Sequence, residues 1–599
     1  MRKKEISSDD YQIFLINSLL WLILVAGGLL LTLVGFFYAS FAWIAIGVVA
    51  FLFKKRAHDA GISLRISKEL LIVITATVAV VTTFAFFTEA SVFSGRDQGS
   101  FSEAAARLAQ NHQLSFTTPS SNEFFKLHEP GRALNFPGFY YNNNGSLVTQ
   151  FSLTYISWLA LFFAIFGIKG FVIANAILLW IFSVSFYLLL RMFVKRFAAS
   201  VMMILAGTSF VFMWFSKFTL SENIALPLLW MMIVSLMLFL RKQQALSYLI
   251  FLLSASLLCF ARIEGAAFLI TSSIVIFLHK DARHFVASKI KSRLIIPIIV
   301  LLLLVLANSF VDFYFYKEII KALLPTVKTP QAQYLGIAKN NVLPNFYNIK
   351  IFYLYGMLGF FIVALYGIIN NFWREKFHKL IPFFVVLPTF IYFFDSQITP
   401  DHPWMLRRFV FSLFPLAIFY SGMVLSRMLQ PKKQITNESR TRSLGFLLAI
   451  ALFAMNMPAF LKYATYSENK GLLSQAEKLS LKFQSNDLIL IDQQASGDGW
   501  SMLTGPMSYL FKKNAVYFFN NQDLAKLDFS KFDNVYLVSA EKQSLLYKNS
   551  TIGEKLTLVD HYSLSTTRLD ITKASKGESM YLPEKKNVTI TGNIYKIAK

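Results

Sequence analysis

The sequence has a single cysteine and few acidic residues relative to its basic ones. Cys259 is the only cysteine among 599 residues, which excludes an intrachain disulfide and a zinc site made of cysteines. Aspartate and glutamate together number 33, against 58 lysines and arginines. The glycines of ASGDGWSMLTGP are too irregularly spaced for a dinucleotide-binding loop, and the sequence contains no internal repeat. The features that remain informative about function are the hydrophobic runs and a few charged residues.

Long hydrophobic runs are what the sequence has in abundance. Hydrophobic residues make up 55% of the chain. Apolar runs of roughly 17 to 25 residues recur up to residue 463, and each can cross a bilayer core of about 30 Å. The predicted fold class is a polytopic α-helical membrane protein with about 13 transmembrane helices and a small C-terminal soluble α/β domain. The expected spans are residues 12–37, 40–54, 68–88, 170–190, 199–216, 222–240, 245–260, 264–279, 294–313, 350–370, 379–394, 409–428 and 443–463.

Lysine and arginine are concentrated in alternate loops between these spans. The net charge is +25, and most of the excess lies on one side of the membrane if the N-terminus is cytoplasmic. This is the positive-inside pattern, so orientation and acidic lipid headgroups explain the basicity and no nucleic-acid partner is implied. The pattern holds only if the run 148–167 does not cross the membrane. This run is therefore expected to lie in or dip into the outer interface. We expect a multi-pass protein of the plasma membrane with its C-terminus outside the cytoplasm.

The character of the sequence changes near Ser467. Residues 467–599 hold no spanning run and alternate helical stretches with short β-rich ones. We expect residues 1–466 to form a transmembrane domain whose outer loop and interfacial helices occupy 89–169, and residues 467–599 to form an extracytoplasmic α/β domain. The expected strands are 487–492, 515–519, 534–538 and 588–597.

Under this topology, ionisable residues from separate segments collect at the outer face. Polar groups near membrane depth usually face a cavity or a partner, so a shared outward-facing site is expected. The candidate site residues are Asp97, Glu103, Glu222, Arg262, Glu264, His402, Arg407 and Arg408.

Several motifs follow one another along the chain. They are an outer-loop aspartate, FPGFY and GSLVTQF before an interfacial helix, and then WFSKFTLSENIALPLLW, RIEG and PDHPWMLRRFVFSLFPL. This order resembles the GT-C superfamily of membrane glycosyltransferases, and in particular its family 39-like branch, which includes protein O-mannosyltransferases and lipid A aminoarabinose transferases. The resemblance runs from about residue 70 to residue 463.

The resemblance implies an inverting glycosyltransferase that moves a sugar from a polyprenyl-phosphate carrier to a hydroxyl of a glycan, lipid or protein. It implies that Asp97 is the general base, since a carboxylate can accept the hydroxyl proton. The alternative is that Asp97 only orders the start of a loop helix. Many relatives carry an Asp-Glu pair here, whereas Gln98 follows Asp97, which weakens the case for a divalent metal without removing it. Loop 314–349 is expected to cover the cavity for the carrier.

Two glutamates have competing interpretations. Glu103 could supply the missing second carboxylate, but Ser100 to Glu103 has the spacing of a helix capping box, and the cap is the preferred interpretation. Glu222 matches the second acidic position of the family, and Thr219 to Glu222 also has capping-box spacing. The sequence favours neither interpretation of Glu222.

The arginines are the candidates for binding the donor phosphate. Arg407 and Arg408 stand together on the outer face, against the positive-inside trend, and the alternative is that they anchor lipid headgroups. Arg262 either pairs with Glu264 or places a guanidinium near the phosphate. His402 is either a metal ligand or part of a helix start at Asp401-His402-Pro403, and no second histidine stands at ligand spacing.

Two other functions remain alternatives. A lipid-linked sugar transporter or flippase would also have many helices and an outer cavity, but it more often shows inverted repeats, which this sequence lacks. An en bloc oligosaccharide transferase or ligase would use the same carrier, yet the WWDYG sequence typical of oligosaccharyltransferases is missing.

Overall fold

A helical bundle precedes a C-terminal β-sheet in this chain. The computed structural model describes residues 8–59, 65–289, 346–394, 398, 401–430, 437–570 and 581–598. The expected span 294–313 and most of the expected loop 314–349 lie outside these residues.

The helices of the bundle follow the hydrophobic runs. Those before residue 290 that build it are α1 Ser8–Leu33, α2 Ala39–Asp59, α3 Lys68–Phe86, α6 Leu153–Phe166, α7 Lys169–Phe193, α8 Arg196–Gly207, α9 Phe210–Phe215, α10 Ser221–Lys242, α11 Ala245–Ala261, α12 Glu264–Leu278 and α13 Lys280–Lys289. Those after residue 345 are α14 Tyr347–Leu354, α15 Leu358–Trp373, α16 Ile381–Val386, α17 Arg407–Val410, α18 Leu413–Leu429 and α19 Glu438–Tyr463. Three 3₁₀ segments, Phe377–Lys379, Leu387–Phe393 and Trp404–Leu406, connect the later helices.

Fewer helices than expected are unbroken and long enough to cross a bilayer. Among the described residues, 5 helices pass that test, and up to 8 pass if each of 3 sharply bent pairs counts as one span. The expected span 350–370 bends by 108° between α14 and α15. The expected span 379–394 is divided into α16 and a 3₁₀ segment. The apolar runs therefore mark helices correctly, but several of these helices are short or bent.

The run 148–167 forms α6, which is buried rather than spread on a surface. Every residue from Leu153 to Phe162 is buried, and the helix packs against α1, α7, α11 and an outer helix, α4 (Asp97–Asn111). Its 14 residues span about 21 Å, which is shorter than a bilayer core. A helix covered by protein on several sides can be apolar all round without facing lipid, which explains why it resembled a spanning helix.

The segment between α3 and α6 forms a small outer unit. It contains α4 Asp97–Asn111, α5 Pro119–His128, and a three-stranded antiparallel sheet made of β1 Gly131–Arg132, β2 Phe139–Tyr141 and β3 Leu147–Thr149. Helix α4 is buried from Gly99 to Leu108 and packs mainly against α6. This packing fixes the first turn of α4, where Asp97 lies.

The C-terminal unit is a five-stranded mixed sheet. Its strands are β4 Leu488–Asp492, β5 Asn514–Phe518, β6 Val535–Ala540, β7 Leu556–Leu569 and β8 Lys585–Ile597, in the order β5-β4-β6-β8-β7. The first three strands are parallel, and β8 and β7 are antiparallel to their neighbours. Its helices are α20 Leu472–Ser480, α21 Thr504–Tyr509 and α22 Ser544–Lys548, and its 3₁₀ segments are Asn521–Lys526, Phe529–Lys531, Glu541–Gln543 and Gly553–Lys555. The four expected strands are present, and β7 is an additional one.

The outer unit and the C-terminal unit are joined by buried hydrogen bonds. The Ser94 carbonyl accepts from Met502 N–H at 2.8 Å, and Ser94 Oγ accepts from Gly505 N–H at 2.9 Å. Arg107 Nη2 donates to Ser508 Oγ at 2.8 Å. Because the two units are in direct contact, they lie at the same end of the helical bundle.

Gly99 is required where α4 crosses the chain that leads into it. A Cβ added at Gly99 would lie 1.6 Å from the Phe93 carbonyl oxygen, which belongs to the backbone and cannot rotate away. By contrast, a Cβ at Gly27, inside α1, would meet nothing within 4 Å.

We expect Gly99→Ala to lower the free energy of unfolding by about 1–3 kcal/mol, because overpacking against backbone forces the first turn of α4 to move. Gly27→Ala is the matched control and should leave stability unchanged or raise it by about 0.5–1 kcal/mol, since alanine favours a helix. Thermal unfolding of the purified variants in detergent measures both. Equal melting temperatures for the two variants would contradict this account of Gly99.

Candidate active site

Asp97 begins helix α4 at the junction of the three parts of the protein. Arg96 precedes it in an extended conformation, with φ −120°, and makes no side-chain cap. The first turn of α4 is held from the other side by Thr219, whose hydroxyl donates to the Gln98 carbonyl at 2.6 Å. A carboxylate in this position is favoured by the partial positive charge of the helix N-terminus. Asp97 therefore helps to start the helix and also faces the rest of the site.

An ion-pair network extends from Asp97 into the bundle. Arg407 Nη1 lies 2.7 Å from Asp97 Oδ2, and Arg407 Nε lies 3.9 Å from Glu222 Oε1. Arg408 Nη1 also lies 3.9 Å from Glu222 Oε1. Arg262 Nη1 is closer to that oxygen, at 2.8 Å, and so forms the direct ion pair with Glu222.

The inner end of this network closes on Glu264. Arg262 donates to both of its carboxylate oxygens, Nη2 to Oε1 at 2.7 Å and Nε to Oε2 at 3.1 Å. Tyr392 donates its hydroxyl to Glu264 Oε1. Arg262 Nη1 also donates to Ser221 Oγ at 3.2 Å. The Arg262 guanidinium is thus engaged by protein groups on all three nitrogens, which favours the structural ion pair over a phosphate contact at this residue.

The exposure of the side chains falls along the network from Asp97 to Glu222. The Asp97 side chain is 41% exposed, Arg407 is 9% exposed and Glu222 is 3% exposed. Three carboxylates, from Asp97, Glu222 and Glu264, balance three guanidiniums within it. Burial of several charges is tolerated because they are paired with one another.

Arg407 is the buried arginine closest to the exposed carboxylate. Its Nε makes no hydrogen bond to any described residue, although the atom is buried. Its guanidinium lies 5.2 Å from the centre of the Trp404 ring. A side chain held among protein groups in this way does not fit lipid-headgroup anchoring, in which the charged end reaches out to the interface.

The capping-box interpretations of the two glutamates are wrong. Helix α4 begins at Asp97, so Ser100 and Glu103 both lie inside it, and Glu103 pairs with Arg107 at 2.8 Å beside the C-terminal unit. Burial raises the pKa of Glu103, against the effect of Arg107. Helix α10 begins at Ser221 without a side-chain cap, and Glu222 turns to Arg262 instead. Glu103 therefore lies outside the network, whereas Glu222 is at its centre.

His402 lies beside the network but not in it. Its Nδ1 is 3.0 Å from the Tyr355 hydroxyl, and burial lowers the pKa of His402 to about 4. Its ring is buried, and the 3₁₀ turn that follows begins at Trp404. In the described part of the chain, no group of three or more His, Cys, Asp or Glu side chains has the geometry to hold a metal ion.

Three residues of this region were not predicted from the sequence. Tyr392 donates to Glu264, Arg96 pairs with Asp401 at 3.2 Å, and Trp500 brings an aromatic ring from the C-terminal unit. The position of Arg96 next to Asp97 could have identified Arg96 as a candidate site residue. Tyr392 and Trp500 gave none, because their roles depend on contacts between distant segments.

The comparisons with known proteins concern the fold. No protein-family model matches the sequence, and no curated protein matches it either. Two solved structures of ArnT from Cupriavidus metallidurans are similar, one in the apo state and one bound to undecaprenyl phosphate. Both give a TM-score of 0.48, at 11% and 10% identity, and cover 87% of this chain and 97% of the other. Both belong to the GT-C branch that the sequence resembles. At this identity and score, the likeness assigns neither a substrate nor a catalytic residue to this chain.

Proposed function

We propose that this protein is an inverting glycosyltransferase that transfers a sugar from a polyprenyl-phosphate carrier to an acceptor hydroxyl outside the cytoplasm. The observation that carries the proposal is the pair formed by Asp97 and Arg407, an exposed carboxylate 2.7 Å from a buried guanidinium. Sugar transfer from a phosphate needs a group that accepts a proton and a group that stabilises the departing phosphate. Asp97 would supply the first of these groups and Arg407 the second.

The phosphate would be bound by Arg407 and Arg408. Arg407 has a buried Nε without a hydrogen bond to any described residue, and Arg408 is 19% exposed beside it. Guanidinium groups bind phosphate oxygens with two parallel hydrogen bonds. Because the charges of the network balance without substrate, an arriving phosphate must compete with Asp97 for Arg407. Donor binding therefore loosens Asp97 from its ion pair when its basicity is needed.

The chemical step follows from these positions. The acceptor oxygen attacks the anomeric carbon, the bond from that carbon to the phosphate oxygen breaks, and its electron pair stays on the phosphate. The hydroxyl proton passes to Asp97, and the growing charge on the carrier is met by Arg407 and Arg408. Glu222 is 3% exposed and held by Arg262, which disfavours a covalent glycosyl intermediate on it. A single displacement inverts the anomeric carbon.

The proposal includes the arrangement in the membrane. Residues 1–466 would form the transmembrane domain with about 13 crossings, and residues 467–599 the extracytoplasmic domain. The contact between Ser94 and Met502 supports a common side for the outer unit and the C-terminal unit. The excess of lysine and arginine in the alternate loops supports the non-cytoplasmic side for both.

The sidedness can be tested with single cysteines in a Cys259→Ser background. Asn143→Cys in the outer unit and Asn549→Cys in the C-terminal unit should react with a membrane-impermeant maleimide added to intact cells. Lys242→Cys, at the end of α10, should react only after the membrane is opened. Labelling of Asn143→Cys and Asn549→Cys from opposite sides would refute the arrangement.

Asp97→Asn should reduce transfer by about 10²–10⁴-fold, because an amide keeps the shape of the carboxylate and cannot accept the proton. Binding of undecaprenyl phosphate should be retained or tightened, since Arg407 loses its competing anion. Transfer is measured as release of free polyprenyl phosphate from sugar-loaded carrier extracted from source membranes. Glu89→Gln, an exposed carboxylate at the start of the same loop, is the control and should behave as the wild type. Near wild-type turnover of Asp97→Asn would remove Asp97 from the base role.

Arg407→Ala and Arg408→Ala should each weaken undecaprenyl phosphate binding by about 10- to 100-fold and slow transfer together with it. Lysine at either position should restore binding only in part. An ammonium keeps the positive charge but lacks the two parallel N–H donors of a guanidinium. Arg132→Ala, in the exposed strand β1, controls for loss of a positive charge on the outer unit. Binding is measured in detergent without anionic lipid, where headgroup anchoring has no effect. Unchanged affinity in both alanine variants would exclude the phosphate assignment.

A further inference from the structure

The start of helix α4 depends on Arg96, the residue directly before Asp97. No side chain of Arg96 caps the helix. Its carbonyl, however, accepts from Gly99 N–H at 3.1 Å and from Ser100 N–H at 3.4 Å, which are the first hydrogen bonds of the helix. Contacts that fix Arg96 therefore also fix the first turn of α4, in which the Asp97 carboxylate lies.

The Arg96 side chain is held by two tryptophans from different parts of the protein. Its guanidinium carbon lies 4.5 Å from the ring centre of Trp404 in the bundle and 4.7 Å from that of Trp500 in the C-terminal unit. Its Nη2 lies 3.2 Å from Asp401 Oδ2, and the side chain is only 14% exposed. A guanidinium is attracted to the face of an indole ring, and the attraction is stronger where water is excluded. The outer unit, the bundle and the C-terminal unit thus meet at one side chain.

The same row of side chains reaches Arg407. The Arg407 guanidinium lies 5.2 Å from the ring centre of Trp404, and Arg407 Nη1 lies 2.7 Å from Asp97 Oδ2. Trp500, Arg96, Trp404 and Arg407 therefore follow one another from the C-terminal unit to the ion pair of the site, and we call this row the stack. Because Arg96 and Asp97 are adjacent in the chain, the ion pair is attached to the stack at both of its members.

Trp500 is itself fixed within the C-terminal unit. The N–H groups of Trp500 and Ser501 both donate to Asp498 Oδ1, at 2.9 and 2.8 Å. Asp498 Oδ2 pairs with Arg568 of strand β7 at 3.1 Å, so the loop that carries Trp500 is tied to the sheet. The Trp500 ring is nevertheless 45% exposed, so it can be replaced without emptying a buried core.

The backbone brings Arg96 and Trp500 together. Gly95 has φ +104°, a conformation that favours glycine, and a Cβ added there would lie 2.5 Å from the Gly499 carbonyl oxygen. The residues directly before Arg96 and directly before Trp500 are therefore in contact. The meeting of the two side chains is set by the main chain of both units.

We propose that Trp500 and Arg96 are positioning residues, which hold the Asp97 carboxylate beside Arg407 through the stack. The inference rests on the proposed function for its effect on sugar transfer. Trp500 acts through Arg96, and Arg96 acts through the first turn of α4. The C-terminal unit therefore supports the site from outside, and Asp97 is correctly placed only while that unit is docked.

Hydrogen exchange of the full chain in detergent tests the hold on α4 without any measure of activity. Trp500→Ala should make the amides of Gly99 and Ser100 exchange at least about threefold faster, because the first turn opens more often when Arg96 loses one of its rings. The matched control is Trp373→Ala, which removes an 82% exposed indole at the end of α15 and should leave these amides unchanged. Exchange at the wild-type rate in Trp500→Ala would overturn the proposal.

Two further variants distinguish a contact between cation and ring from a loss of apolar bulk. Trp500→Phe keeps an aromatic face and should recover at least part of the protection from exchange. Trp500→Leu keeps an apolar side chain without that face and should behave as Trp500→Ala does. Thermal unfolding identifies a variant that has not folded, and the Phe and Leu variants decide alone if Trp500→Ala is one. Equal exchange rates in these two variants would refute the stack.

Sugar transfer shows whether the hold on α4 matters for the reaction. Trp500→Ala and Arg96→Met should each slow the release of polyprenyl phosphate by about tenfold, because a small displacement of a reacting group lowers the rate. Undecaprenyl phosphate should bind within about threefold of the wild-type affinity, since Arg407 and Arg408 are retained. The double variant should be no slower than the slower single variant, because both changes break the same stack. Losses that multiply, or wild-type transfer despite faster exchange, would contradict the positioning role.

The two kinds of measurement separate the positioning role from the proposed function. If the wild type neither binds undecaprenyl phosphate nor releases it from sugar-loaded carrier, the glycosyltransferase proposal fails, and the exchange rates still decide whether Trp500 holds α4. If the wild type binds and transfers normally but the Trp500 variants match it in exchange and in rate, only the positioning role fails.

Discussion

The pairing of one buried carboxylate with several guanidiniums holds the centre of this protein together. Glu222 stands in the first turn of α10, a helix buried from Glu222 to Leu240, and its Oε1 atom contacts Arg262 at 2.8 Å. The same oxygen lies 3.9 Å from both Arg407 and Arg408. Without that carboxylate, three guanidiniums would share only the carboxylates of Asp97 and Glu264 in a region of low polarity. The positions of Arg407 and Arg408, and through Arg407 that of Asp97, therefore depend on a residue that itself has almost no contact with solvent.

Much of the helical part could be predicted because hydrophobic periodicity and helix length are local properties of the sequence. The run 170–190, for example, lies wholly within α7, and DLILID forms the buried strand β4. What could not be predicted was where apolar helices bend or end within the bundle. The 108° bend between α14 and α15 occurs at Gly356, where the backbone has φ +75° and packs against Asn456. The residue that Gly356 contacts at this bend is one hundred positions away in the sequence.

The missed strand β7 and the wrong capping boxes have a common cause. Strand β7 is rich in serine and threonine and is exposed along most of its first half, so the alternation that marks a half-buried strand is confined to its second half. Strand β7 forms backbone hydrogen bonds to β8, and its amino-acid composition does not predict this pairing. Glu103 and Glu222 likewise stand at capping distance from a hydroxyl, but each has an arginine partner that sequence spacing cannot reveal. For the site, the sequence indicated the residue types at one membrane face and left their pairing open.

The hydrogen bonds between Ser94 and residues 502–505 have a consequence for biosynthesis. These partners are separated by about 400 positions along the chain. At a synthesis rate of roughly 5–20 residues per second, the second partner leaves the ribosome about 20–80 s after the first. Throughout that interval the loop carrying Asp97 has left the ribosome but lacks the surface against which it packs, and water must satisfy its polar groups. The packing around the loop that carries Asp97 is therefore completed only near the end of translation, after residues 502–505 have left the ribosome.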